Sequence, residues 1–163
     1  MLMTYRIRPC IDSDVPDILS VITSAFAEHR GKLVPPSSAE RKTIEVVREE
    51  LAQAEACVAE DEGRLVGCVF FRPRGDSVYL DRLAVLPGMR GRGIASALIA
   101  TVEHAARARG VGALTLTVRL ALTRQRALYE KLGFEFVEFG THEGFTEPTS
   151  MKMRKRLIDV DSA

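Results

Sequence analysis

Residues 85–97 read VLPGMRGRGIASA: the apolar end of a strand, a turn of arginines and glycines, then small helix-favouring residues. A helix beginning there offers unpaired backbone N–H groups and the positive end of its dipole, a ready cradle for phosphate. Spacing separates three such cradles. A P-loop needs Lys and then Ser or Thr directly after its final glycine, and Gly93 is followed by Ile94 and Ala95, which excludes it. The dinucleotide fingerprint G-x-G-x-x-G is met at Gly91 and Gly93 but meets Ser96 at its third glycine. The following strand ends in Arg119, which suits a 2′-phosphate, so binding of NADP stays open, although the motif lies in mid-chain after a run of strands. The third pattern, R-x-x-G-x-A, is in register at Arg90, Gly93 and Ala95.

Outward from this turn the chain alternates between strand and helix periods. TYRIRP reads as a strand, after which Asp12 or Ser13 caps a helix carrying Val15, Ile18, Leu19, Ile22 and Phe26, with Pro16 in its first turn. EHRGKLVPP breaks the period, and Ser37 with Glu40 forms a capping box for a second helix with Ile44, Val47 and Leu51. ACVAED and RLVGCVFF flank the turn EGR, and SVYLDRLAVL follows a Gly-Asp break, so three antiparallel strands are expected in succession. The helix from Ile94 buries Ala97, Leu98, Thr101, Val102 and Ala105 and ends near Gly110. ALTLTVR is the next strand; Thr123 caps a short helix closed by Gly133; FEFVEF and TSMKMRKRL supply two last strands. The order βααβββαβαββ makes a mixed α/β layer.

A chain of 163 residues supports one core, so residues 1–163 are read as a single domain. With 46% hydrophobic and 28% charged residues and a net charge of +1, acids and bases are interleaved, which disfavours nucleic acid as the partner. MKMRKR near the C-terminus is read as a solvated strand edge. No apolar run is long enough for a membrane span, and MLMTYRIRPC lacks the apolar core of a secretory signal. Cys10, Cys57 and Cys68 have no metal-type spacing and are read as reduced core thiols, which points to the cytoplasm and to no metal site.

LAVLPGMRGRGIASALI, continued by ALYEKLGF with a helix and a strand between, resembles the GNAT superfamily of acyl-CoA-dependent N-acetyltransferases, and the element order agrees over nearly the whole chain. The resemblance implies a mostly antiparallel sheet with helices on both faces and strands splayed apart at the acyl-CoA site. It also implies acetyl-CoA as co-substrate. The amides from Arg90 through Gly91, Arg92, Gly93 and Ile94 to Ala95 would then hold the pyrophosphate, while the backbone of Leu83, Ala84 and Val85 pairs with the pantetheine arm. An N–H near Val85 would serve the oxyanion. Dimers are common in the superfamily, which leaves a homodimer open.

By the same resemblance Tyr129 in ALYEKLGF serves the leaving sulfur. Transfer of its proton, pKa ~10, to a thiolate of pKa ~8.5 is uphill by about 2 kcal/mol, so a hydrogen bond is the expected role. An alkyl ammonium must also lose a proton. The acid used by relatives that acetylate ribosomal-protein N-termini falls at Thr117, which cannot serve. Asp81 is the alternative base, on one face with Leu83 and Val85 unless a bulge intervenes, and Glu60 and Glu143 are more distant ones. Leu122 and Gln125 replace an Asn and an Ala of many relatives, and Arg124 and Arg126 could reach the coenzyme instead. In THEGFTEPTS, His142 is a candidate base, and Glu143 and Thr146 are candidate acceptor contacts. His29 and His104 carry no comparable context. The expected acceptor is a small primary amine; a protein N-terminus or lysine, or a non-catalytic acyl-CoA sensor, are the alternatives.

Overall fold

The computed structural model describes residues 4–157. Its elements follow the expected order: β1 (Tyr5–Pro9), α1 (Val15–Phe26), α2 (Ile44–Gln53), β2 (Glu55–Asp61), β3 (Arg64–Arg74), β4 (Ser77–Val85), α3 (Ile94–Ala108), β5 (Ala113–Arg119), α4 (Thr123–Lys131), β6 (Glu135–Gly140) and β7 (Ser150–Arg156). They form one seven-stranded sheet in the order β1-β2-β3-β4-β5-β7-β6. The β4–β5 pair is parallel, and β1–β2, β2–β3, β5–β7 and β6–β7 are antiparallel. The chain divides into two compact units: residues up to Arg72 with Arg82–Val102, and Pro73–Asp81 with the residues from Glu103 on.

In the first unit, β2 and β3 turn at Glu62 and Gly63, both with positive φ (52° and 78°), as a two-residue hairpin of right-handed twist requires. Leu65 to Phe71 of β3 are all buried, so both faces of this strand are covered. Cys68 and Phe70 join Val15, Ile18, Val21 and Ile22 of α1 and Val47 of α2 in one apolar cluster. On the other face Gly67 lies against α3: a Cβ there would stand 3.1 Å from Ile94 Cγ2 and 3.3 Å from Leu98 Cδ1. The glycine therefore lets α3 approach the sheet.

Three helix starts differ from expectation. Ser37 does accept a hydrogen bond, from Ala39 N at 3.2 Å, but it caps a 3-10 turn, Ser38–Arg41; α2 starts at Ile44, capped by Thr43, whose hydroxyl accepts from Val46 N at 3.2 Å. Glu40 reaches Gly31 N at 3.1 Å instead of closing a capping box. Asp12 and Ser13 lie in a 3-10 turn before α1, and Thr123 opens α4 without capping it, Leu122 being the N-cap.

The second unit corrects the placing of MKMRKR. β7 lies inside the sheet, between β5 and β6, in continuous register with β5 from Ala113↔Arg156 to Arg119↔Ser150. Met151 and Met153 are buried, while Arg154 and Lys155 are held by Asp76 (3.3 Å) and Glu103 (3.0 Å). The edge is β6, which exposes Phe136 and Phe139. Ser77 and Thr115 share a buried hydroxyl contact of 3.0 Å beside the parallel pairs Val78↔Leu114 and Tyr79↔Thr115.

Asp14, buried ahead of α1, accepts from Arg8 through both terminal guanidinium nitrogens (2.8 and 2.9 Å) and from Ile11 N (2.8 Å). The hydrogen bond from Arg8 holds its carboxyl below the usual range against the opposing effect of burial. A carboxyl depressed on folding stabilises the native state above its unfolded pKa of about 3.9, and the contribution disappears as pH falls through the lower folded value. Asp14→Asn should cost about 1 to 3 kcal/mol at neutral pH, by the loss of charge-assisted hydrogen bonds, and flatten the acid limb of stability. Urea unfolding from neutral to acid pH tests both effects.

Candidate active site

The turn between β4 and α3 begins with a 3-10 segment, Pro87–Met89. Gly91 and Gly93 follow at φ 81° and 79°, values open to glycine at little cost and to other residues at about 1 to 2 kcal/mol. No atom lies within 4 Å of where a Gly91 Cβ would be, and at Gly93 the nearest is the Tyr5 hydroxyl at 3.8 Å. The first hydrogen bond of α3 runs from Ala97 N to Gly93 O (2.9 Å), so the N–H groups of Ile94, Ala95 and Ser96 have no acceptor within the helix. Bare backbone, outward N–H groups and a helix dipole on one exposed turn fit an anion of several phosphate oxygens.

The Arg90 side chain is engaged elsewhere. Its guanidinium donates to Glu28 Oε1 at 2.7 Å and to Ala25 O at 3.0 Å, at the end of α1, so this arginine fastens the turn to that helix. Arg92 is exposed on the turn. Before the turn, Leu83 is half-buried, Ala84 and Val85 are buried, and Ala84 belongs to the α1–α2 cluster.

Arg82 has φ 50°. A left-handed residue inside a strand breaks the plain alternation that would put Asp81, Leu83 and Val85 on one face, so their common face does not follow. Its side chain donates from Nε to Glu50 Oε2 at 3.1 Å, and Glu50 also accepts from Lys42, whose side chain is 1% exposed. Nothing near Arg82 in the sequence announces this: its acid is a helix residue, itself held by the residue ahead of that helix's cap.

The second unit contains Tyr129, Asp81 and His142. Tyr129 on α4 meets Phe134 edge-on, with centroids 5.8 Å apart. Burial raises its phenol above the ordinary value, and the negative fields of Asp81 and then Tyr79 raise it further. His142 opens the β6–β7 loop; its N–H donates to Thr149 Oγ1 at 3.1 Å, and its Nδ1 meets the same hydroxyl. Burial, and then the cation of Arg119, lower its pKa. Phe145 N closes a turn on His142 O at 3.1 Å, and Glu143 and Thr146 are exposed beside it.

Other candidates have structural partners. Glu60 accepts from Arg6 (3.0 Å) and Arg8 (3.3 Å), and Arg126 donates to Leu120 O (3.3 Å). His104 is exposed on α3, and His29 stands 3.4 Å from Glu28. Among the described residues no cluster of His, Cys, Asp and Glu could hold a metal, and no helix is long and apolar enough to cross a membrane.

The model of the acetyltransferase (GNAT) family matches residues 21–134, from within α1 to the residue before β6. This chain belongs to that family. Among its relatives, an acetyltransferase of Pectobacterium atrosepticum is 42% identical over 84 residues, 50% of this chain and 57% of that protein. One of Yersinia enterocolitica is 35% identical over 107 residues, 64% of this chain and 67% of the relative. The chain thus spans little more than half the length of the first of these proteins.

The fold is shared with PaiA N-acetyltransferase of Thermoplasma acidophilum in complex with coenzyme A (TM-score 0.80, 18% identity, 94% and 99% of the two chains covered). It is shared also with the ribosomal-protein-S18-alanine N-acetyltransferase of Escherichia coli (TM-score 0.77, 19% identity, 98% of each chain). In this GNAT chain the cradle is a matter of backbone, which makes Gly93 the residue to test. Gly93→Glu should abolish coenzyme A binding, because it adds a side chain and a like charge where the phosphate would sit. Calorimetry on a variant shown by circular dichroism to be folded should give no heat of binding, and wild-type affinity would refute the cradle.

Proposed function

We propose that this chain transfers an acetyl group from acetyl-CoA to a primary amine, with a small metabolite as acceptor. The observation that carries the reading is the α3 cradle, behind Gly91 and Gly93, whose first N–H groups have no acceptor within the helix. Bound acetyl-CoA supplies an activated carbonyl: the amine nitrogen forms a C–N bond, the C–S bond breaks, and an amide, a coenzyme thiolate and one proton result. The amides from Arg90 to Ala95 hold the pyrophosphate, and the backbone of Leu83 to Val85 holds the pantetheine arm and the developing oxyanion.

Tyr129 donates a hydrogen bond to the departing sulfur. Its raised pKa keeps the phenol protonated at neutrality and makes complete proton transfer more uphill still. Asp81, whose charge is felt at Tyr129, attracts the ammonium form of the acceptor. His142, with its pKa lowered from 6.5, is neutral near pH 7 and takes the proton that the amine must lose. Glu143 and Thr146 contact the acceptor from the same loop.

Incubation with acetyl-CoA and a panel of small amines, read by release of free thiol, tests the reaction; no release above the hydrolysis rate with any amine would refute it. Tyr129→Phe should lower kcat about 10- to 100-fold with little change in acetyl-CoA affinity, since the hydroxyl matters once charge develops on sulfur. A change confined to KM for acetyl-CoA would make Tyr129 a binding residue only. His142→Ala should cut kcat/KM for the amine about 100-fold and leave coenzyme A affinity intact. Unchanged amine kinetics in His142→Ala and in Glu143→Gln would transfer acceptor recognition to residues 28–36.

A further inference from the structure

Among the described residues, two that are not glycine have positive φ: Glu62 and Arg82. Glu62 sits in the two-residue β2–β3 turn beside Gly63, and the turn explains it. Arg82 lies within β4, where no turn demands a left-handed residue, so something must hold it there. Its surroundings supply three holds. Arg82 Nε donates to Glu50 Oε2 at 3.1 Å; the Cys68 thiol donates to Arg82 O at 3.5 Å; and Glu50 is itself fixed by Lys42, whose side chain is 1% exposed. A nearly buried ammonium has little freedom to leave its carboxylate, so the chain from Lys42 through Glu50 to Arg82 is anchored at its far end.

We infer that Glu50 is a positioning residue for acetyl transfer: with Lys42 it clamps Arg82 in the left-handed kink from which the Leu83–Val85 backbone sets out. The inference rests on the role proposed for Leu83 to Val85 toward the coenzyme. Without the clamp, residue 82 loses the side-chain hold on its positive φ, and relaxation toward an extended φ redirects the N–H and C=O groups that follow it. Glu50 acts through Arg82. Burial opposes its charge, but the hydrogen bonds from Lys42 and Arg82 prevail and leave its carboxyl below the ordinary range, which makes it a poor proton acceptor at neutrality.

The test uses the ability of glycine to hold positive φ unaided. Glu50→Ala should lower kcat at least about ten-fold, with KM for acetyl-CoA within about three-fold of wild type, as expected when reacting groups are misplaced while the pyrophosphate cradle is intact. In an Arg82→Gly background the same Glu50→Ala change should alter kcat less than about two-fold, because the kink no longer needs the clamp. Wild-type kcat in Glu50→Ala would overturn the inference. So would a ten-fold loss that persists in the Arg82→Gly background, which would mean that Glu50 acts on the reactants directly.

Should Glu50→Ala fail to fold around an unpaired Lys42, Lys42→Met/Glu50→Leu removes the cation with its partner and carries the same expectations. A second readout is independent of activity. The Arg82 Cα and Cβ chemical shifts should be those of a left-handed residue in wild type and move toward extended values in Glu50→Ala; unmoved shifts would refute the clamp. Wild-type protein that acetylates no amine would refute the reaction, while these shifts would still decide the clamp.

Discussion

The N–H groups of a helix's first turn have no acceptor in the helix, and the site proposed here depends on where α3 points them. Two left-handed glycines make the approach bare. Gly67 lets the first turns of that helix press on β3, with Ile94 and Leu98 so close that a Cβ at this position would crowd both. The anion site therefore runs from the exposed Gly91, Arg92 and Gly93 to Ile94, which is buried in the core. A side chain at Gly67 would displace Ile94 and with it the amides that follow.

Several arginines of the first unit are partners of acids in the structure. Arg90 fastens the cradle to the end of α1 through Glu28 and Ala25; Arg82 is held by Glu50; Arg8 is shared by Asp14 and Glu60. The division has a physical logic. Backbone amides are fixed when the helix forms, whereas a guanidinium on a flexible stem must be ordered first, and an acid within the fold orders it. The electrostatics of the turn then rest on the helix dipole and on peptide groups, with Arg92 exposed beside them.

Element order was legible because it depends on periods and breaks within single segments: the apolar face from Val15 to Phe26, the turn at Gly63, the glycines before Ile94. What was not legible depends on residues far apart. Ser37 looks like the cap of α2 because S-x-x-E is a local signature, but a 3-10 turn takes up that signature and Thr43 does the capping. MKMRKR reads as an edge by composition, yet two buried methionines and acids at Asp76 and Glu103 admit it between two strands. The kink at Arg82 is hidden for the same reason: Glu50 and Cys68 reach it from two other segments, and Lys42 holds Glu50 from a third.

Burial acts on Tyr129 and His142 in opposite directions and to one end. Desolvation penalises whichever form is charged, so it raises the phenol, whose charged form is deprotonated, and lowers the imidazole, whose charged form is protonated. Neighbours reinforce each shift: the negative charge of Asp81 opposes a phenolate, and the positive charge of Arg119 opposes an imidazolium. A donor to sulfur must keep its proton and an acceptor from the amine must lack one, which are the two neutral forms. Lowering the imidazole extends the working range toward acid, and raising the phenol extends it toward base. Burial at each residue, with a carboxylate near one and a guanidinium near the other, thus favours the neutral form that each proposed role requires.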